Sequence, residues 1–385
     1  MMGIRLYGKF KYLFIALIIL SFVPLSAMAA QKRHFVLQTD PMIGFEIVLP
    51  AGWRELADRP AATSIKGNSA MTPIANYALP NPDGESSITI SALEQPYFIT
   101  PEDWMQGHMK RSNLSVIEQG SEQGGVYGAT YMRITREGER LTIGRLFSNG
   151  PRLILAEYSF PPSRFEAEKN IARTTIDSFK LTARDTEPME KIGWFQLSTM
   201  GRVAYPSSWR LVAAPAQPGK DAQATLVLAS EVGVIDPSRR HNDPPVMRTM
   251  GRIDMFMRAK NATVDRQLWL ETELNRLGLV LREELEAQPK LPRLNSVWKD
   301  SSFKAYKADI GMGRVIPHEI WVLTASDDRH DIAVVMLSPT REEEFFSWAR
   351  NKAAFELVAR SIQPLEAVLA PTTPEATAPV APPKL

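Results

Sequence analysis

Apolar and polar residues alternate in short runs along this chain, and the runs come in the same order twice. Phe35 to Thr39 and Phe45 to Leu49 alternate and predict two short strands, with Asp40-Pro41 and Gly44 supplying the turn. Ile88, Ile90 and Ala92 share one face of a further strand. Thr100 followed by Pro101 predicts a helix start, with Thr100 as N-cap and Trp104, Met105, His108 and Met109 close together on the helix. A meander follows over Val126–Ile134, Leu141–Phe147 and Leu153–Phe160, with reversals at Glu137-Gly138 and Asn149-Gly150. Asn-Gly between apolar runs predicts a tight hairpin with both central residues at positive φ. Ser163 and Glu166 form a capping box for a closing helix from Arg164 to about Phe179.

The second pass repeats these elements. Phe35-Val36-Leu37-Gln38-Thr39 returns as Phe195-Gln196-Leu197-Ser198-Thr199, and Pro50-Ala51-Gly52-Trp53-Arg54 returns as Pro206-Ser207-Ser208-Trp209-Arg210. Strands are expected at Ala224–Leu228 and Ile253–Met257, and a helix from about Val264 to Leu277. A meander is expected over Phe303–Ile310, Val315–Thr324 and Ile332–Leu337, turning at Gly311-Met312-Gly313 and Asp327-Asp328. Thr340 and Glu343 give a second capping box before an apolar stripe of Phe345, Ala349, Phe355, Val358 and Ile362. A repeat at domain spacing implies two copies of one fold. The expected domains are 32–183 and 192–365, joined by a short polar linker, 184–191. The fold class is α+β: two repeated α/β/α-sandwich domains, each a mostly antiparallel sheet with helices packed on it. Residues 366–385, rich in Pro, Ala and Thr, bury too little apolar surface to order and are expected to be a disordered tail.

The first thirty residues change the reading of charge. Arg5, Lys9 and Lys11 precede an apolar run from Leu13 to Val23, then Pro24 and the small residues Ser26-Ala27-Met28-Ala29-Ala30. This is a signal-peptide pattern with cleavage after Ala29 or Ala30, so a periplasmic or secreted protein is expected. The uncharged stretch Tyr12–Gln31 is also long enough for an uncleaved anchor, and only then is a membrane a partner. The chain has 45 basic and 43 acidic residues, net +2; without the segment 42 stand against 43, net −1. A near-neutral mature protein offers no electrostatic reason to bind nucleic acid. The absence of cysteine excludes a disulfide framework, a thiol nucleophile and a thiolate metal site.

The recurring strand pair ending in Pro-x-x-Trp, with a meander and a closing helix that ends near Ser-Phe, resembles the Mog1/PsbP-like domains. The matching residues are Pro50, Trp53, Ser178 and Phe179 in the first copy, and Pro206, Trp209, Ser361 and Ile362 in the second. Members of that family are mostly non-enzymatic accessory or assembly proteins that bind other proteins, and the resemblance implies such a role here.

Candidate chemistry is sparse. Trp53 and Trp209 would serve either as an aromatic ligand platform or as core anchors that the fold requires. Asp327-Asp328-Arg329-His330-Asp331 brings three carboxylates and an imidazole together, but Asp is equally favoured by a hairpin turn, and Arg329 opposes a cation. Glu342-Glu343-Glu344 suits the first turn of the last helix. The second copy carries an insertion, Glu231–Met247, read as a loop in which Arg239, Arg240 and His241 are candidates for binding a partner's carboxylate or phosphate. No H-E-x-x-H, G-x-S-x-G or P-loop pattern occurs, so no catalytic residue, metal ligand or cofactor is expected. The expected function is a non-enzymatic exported envelope protein that recognises a protein complex of the envelope. The alternative is a periplasmic small-molecule binder or enzyme that uses an inter-domain cleft.

Overall fold

The computed structural model describes residues 30–56, 62, 64–65, 70–79, 86–136, 138–212, 223–234, 246–260, 264–290, 292–308 and 317–365. The targeting segment, the tail beyond Leu365, the Gly311-Met312-Gly313 turn and Arg239, Arg240 and His241 lie outside the described residues. The chain divides into two units: residues up to Glu94 with Asn113–Thr186, and Gln95–Ser112 with Glu187 onward.

In the first unit, β1 (Gln31–Leu37) and β2 (Asp40–Leu49) pair as the alternating pattern predicts, with Phe35 opposite Phe45. The main sheet contains β3 (Arg54–Glu55), β4 (Thr72–Leu79), β5 (Ser86–Glu94), β6 (Ser115–Ser121), β7 (Tyr127–Thr135), β8 (Gly138–Asn149) and β9 (Arg152–Phe160). Between β5 and β6 the chain forms α1 (Pro101–Arg111). After β9 come α2 (Phe165–Asp177) and β10 (Lys180–Leu181). The main sheet runs β3-β4-β5-β9-β8-β7-β6, antiparallel throughout, and β10 returns to β2. Ala172 and Ile176 of α2 pack with Ile88, Ile90, Ala156 and Tyr158 on one face of that sheet.

The second unit opens on β11 (Ile192–Leu197) and β12 (Gly201–Pro206), followed by β13 (Arg210–Val212), β14 (Gln223–Val234) and β15 (Val246–Ala259). It continues with α3 (Arg266–Arg276), β16 (Lys299–Ala308), β17 (His318–Ser326), β18 (His330–Pro339), α4 (Phe345–Ser361) and β19 (Gln363–Pro364). Its main sheet runs β13-β14-β15-β18-β17-β16, and β11-β12-β19 forms the small sheet. Strand for strand this is the order of the first unit. Even the place of β6 is filled, because Lys307 N donates to Glu283 O (2.8 Å) and Leu285 N to Ala305 O (2.9 Å) beyond β16. Trp269, Leu270 and Leu274 of α3 cover Ile320 and Val322. On the alternate positions Trp321 meets Trp348 and Phe355 of α4 (6.1 and 5.6 Å between ring centroids). Helices on both faces explain why β17 and β18 read as unbroken apolar runs rather than as alternation.

The repeated phrases have matching physical jobs. Trp53 N donates to Pro50 O (3.3 Å) and Trp209 N to Pro206 O (3.0 Å), closing the same turn; Gly52, at φ 84°, supplies the left-handed residue in the first. Ser178 Oγ accepts from Val48 N and Ser361 Oγ from Ala204 N, both at 2.9 Å, tying each closing helix to its opening hairpin. Phe179 and Ile362 then enter the core.

Several local expectations need correction. Neither capping box forms. A 3₁₀ turn at Pro162–Arg164 precedes α2, which starts at Phe165 with Arg164 as N-cap and no side-chain cap bond. In place of Glu166, Glu168 turns inward, accepting from Ser86 Oγ (2.8 Å) and Tyr158 OH (2.9 Å) and pairing with Arg164. Likewise α4 starts at Phe345 without a side-chain cap, and Glu342 and Glu343 lie in the turn before it, not in its first turn. The second hairpin turn is Gly150-Pro151, because Asn149 pairs with Arg152. Gly150 has φ 59° and proline holds a negative φ, so only one central residue is left-handed. Asn149 instead donates to Met42 O and Ala183 O. The insertion is not loop throughout: β14 and β15 stay paired out to Val234 opposite Val246.

The helix α1 forms with Thr100 as cap, Thr100 Oγ1 accepting from Asp103 N (3.1 Å). Although it stands in the first sequence copy, it packs within the second unit, on α4. Gly107 meets the rings of Phe345 and Phe346, where a Cβ would come within 2.8 Å. Asp103, 3% exposed, pairs with Lys352 (2.9 Å), and Arg111 lies over Phe346 (4.0 Å). This second cover explains why α4 is buried on nearly every side instead of along one stripe.

Candidate functional site

Tryptophan distinguishes one surface from the rest. Of the eight tryptophans, seven are between 2% and 8% exposed, whereas Trp194 is 54% exposed. It sits on β11, at the edge of the small sheet of the second unit. Ile192, two residues before it on the same face, is 43% exposed. From β12 the Arg202 guanidinium lies 4.7 Å from the Trp194 ring and donates to Gln363 Oε1 (3.2 Å). Its Nε is enclosed with no hydrogen-bond partner, and Arg202 makes no ion pair among the described residues. A half-exposed tryptophan, an apolar neighbour and an arginine without a counter-ion are the residue types that dominate protein-binding surfaces.

The first unit provides an internal control. At the positions that Trp194, Gln196 and Arg202 take in the ladder, it carries Lys32, His34 and Glu46. There Lys32 Nζ is 2.7 Å and His34 Nδ1 3.8 Å from the Glu46 carboxylate, so the charges are matched within the hairpin. The Lys32 bond holds the Glu46 carboxyl below its usual range. Charged side chains on an edge strand protect it against unwanted pairing. The second unit has replaced that protection with an apolar, cationic face. Aligning the repeated phrases in the sequence sets Trp194 against His34, two residues from the place it takes in the ladder, and a single sequence does not show that Trp194 is left outside the core.

The residues singled out from the sequence fall elsewhere. Trp53 and Trp209 are buried, Trp53 against Tyr158 (5.0 Å), so they are core anchors and present no platform. In the Asp327 turn every acid is engaged locally. Asp327 Oδ1 accepts from Arg329 N and His330 N, Asp328 pairs with Lys299, and Asp331 pairs with Arg258 (2.9 Å). No group of three or more His, Asp or Glu able to hold a metal ion occurs among the described residues. Arg239, Arg240 and His241 lie outside the described residues.

Two further features lie off this surface. In the first unit a groove of about 370 Å³ runs between α2 and the β6–β8 side of the sheet, with open space over Gly120 in its floor. Its charges are internally matched: Arg145 pairs with Glu122 (2.8 Å) and Asp177 (2.7 Å), Arg173 with Glu118 (3.2 Å). In the second unit Glu319, 5% exposed, accepts hydrogen bonds from the indoles of Trp321 and Trp348. Burial pushes its carboxyl up to about 7 against those two donors, with Glu342 adding to the rise and Arg341 opposing it. Its ring partners hold the α4–sheet core together, and no nucleophile or second acid shares its hydrogen bonds.

No family model matches the chain, and no curated protein matches it. Among solved structures it is similar to PsbP of the cyanobacterium Synechocystis sp. PCC 6803, at 20% identity over 40% of this chain and 94% of that one, TM-score 0.30. It is similar to the Ran-binding protein Mog1p of Saccharomyces cerevisiae, at 12% identity over 40% of this chain and 97% of Mog1p, TM-score 0.30. The type VI secretion immunity protein TplEi of Pseudomonas aeruginosa is matched over 87% of this chain and 97% of its own, at 10% identity and TM-score 0.21.

Proposed function

We propose that this protein is a non-enzymatic recognition protein of the bacterial envelope, an accessory or assembly factor that holds another protein on the β11 face. The observation that supports it is the contrast within the chain: seven tryptophans serve the core and the eighth lies outside it beneath an unpaired arginine. Placement in the envelope rests on the signal pattern of residues 1–30. No helix among the described residues is long and apolar enough to cross a membrane.

The test is chemical cross-linking in the native envelope, followed by recovery of the tagged protein and mass spectrometry. A reproducible set of envelope proteins is the expected result. Recovery of a single secreted effector instead would keep recognition but replace assembly with immunity, the role that names TplEi. A protein recovered alone, yet raised in melting temperature by one compound of a metabolite panel, would overturn the proposal in favour of small-molecule binding.

A further inference from the structure

We propose that the open edge of β11 is a strand-addition site for an extended acidic–apolar segment of a partner protein. The partner's carboxylate meets Arg202, and its apolar side chain lies on Trp194 and Ile192. The inference deepens the recognition reading and rests on it.

The backbone supplies the first half of the case. β11 has a single partner, β12, and the register from Ile192 opposite Pro206 to Leu197 opposite Gly201 is free of bulges. By contrast β6, the edge strand of the first unit's main sheet, is broken by a register shift between Val116 and Glu118. Bonded and non-bonded pairs alternate along an antiparallel ladder. Ser207 N donates to Lys191 O (2.8 Å), so Lys191 opposite Ser207 is a bonded pair. Counting from it, Gly193 and Phe195 bond inward to β12, and the backbone groups of Ile192, Trp194 and Gln196 face the open side. Those three residues are also the ones whose side chains are exposed. An incoming strand would therefore find donors, acceptors and contact area at the same places.

The side chains supply the chemistry. Arg202 stands where the first copy has Glu46, and it lacks the counter-charge that Glu46 finds in Lys32. With Nη2 bonded to Gln363, no ion pair among the described residues and its face on Trp194, it has a charge and an Nη1 that a carboxylate would satisfy. Trp194 and Ile192 beside it accept an apolar side chain two positions along the same strand, because alternate residues share a face.

The test uses the whole purified protein and capped peptides of about ten residues. One peptide alternates threonine with valine, glutamate and valine on the facing side. A second has lysine for the glutamate, and a third is the acidic peptide N-methylated on its edge-facing amides. Binding is read by acrylamide quenching of tryptophan fluorescence, which reaches Trp194 far more than its seven buried neighbours. The acidic peptide is expected to shield Trp194, with the lysine and N-methylated peptides weaker by about tenfold or more. Arg202→Gln should remove the preference for glutamate over lysine, and Trp194→Ala should remove the shielding signal together with peptide binding by an independent titration. Equal binding of the glutamate and lysine peptides would overturn the carboxylate assignment, and equal binding of the N-methylated peptide would overturn strand addition. If no peptide binds at about 1 mM, the site assignment fails. The recognition reading still stands in that case if cross-linking recovers a partner.

Discussion

Gly251→Ala is expected to destabilise the second unit by about 3–5 kcal/mol, which would leave a domain of ordinary stability marginal. Gly251 lies on β15, and a Cβ there would stand 2.3 Å from Asn351 Oδ1 of α4. Asn351 is fully buried and cannot simply swing away. Its Oδ1 accepts from Ser230 Oγ (3.0 Å), and its Nδ2 donates to Met250 O (2.8 Å) and Ser338 Oγ (3.0 Å). The ladder is irregular at this point: Ser230 faces Gly251 and Glu231 faces Thr249, so Met250 is the extra residue of a bulge. An added methyl overpacks the site and strips hydrogen bonds from buried groups, each effect being worth about 1–3 kcal/mol. Urea unfolding measures the loss. The mechanism also predicts strong non-additivity, because in an Asn351→Ala background the methyl finds room and Gly251→Ala should cost far less. Additive costs would show that the strain lies elsewhere.

Glu319→Gln is expected to flatten most of the pH dependence of stability of the same unit. Burial raises the Glu319 carboxyl from an ordinary 4.5 to about 7 in the folded protein. Between those values the folded state holds a proton that the unfolded chain has released. Its contribution is therefore complete below about 4.5 and is lost as pH rises through about 7, a difference of about 3 kcal/mol. Glutamine keeps an oxygen for the indoles of Trp321 and Trp348 and carries no charge at any pH. The variant should match the wild type near pH 5 and be more stable than it at pH 8. Asp254 and Glu356, which burial also pushes up, leave a residual slope of the same sign. Urea midpoints of both proteins at the two pH values decide the matter, and an unchanged slope in the variant would contradict it.

How far the sequence could be read followed the range of the forces involved. Thr100 and Pro101 act within one helical turn, and the helix they predict is present with that cap. The alternation in Phe35–Thr39 and the repeated Pro-x-x-Trp phrase reflect burial on one face, and both copies fold to the same strand order. The capping boxes were local patterns too, but tertiary demands overrode them. Pro162 began a 3₁₀ turn, and Glu168 was drawn inward by Ser86 and Tyr158 from β5 and β9. The partner of Asp103 of α1, Lys352, is 249 residues away in sequence, a distance no local period encodes. Trp194 was hidden for a different reason. Hydrophobicity predicts burial, and exposure of a tryptophan becomes visible only once the fold places it on an edge strand, 54% exposed with Arg202 over its ring.

The most direct test of the recognition account places a photo-cross-linking amino acid at Gln196, on the open side of β11, in the full chain in its native envelope. A matching probe at Ile117, 60% exposed on β6, serves as the comparison. The account predicts a defined partner adduct from position 196, lost when Trp194→Ala or Arg202→Glu is added, and no such adduct from position 117. An adduct from position 117 alone, or one from position 196 that survives both substitutions, would contradict it.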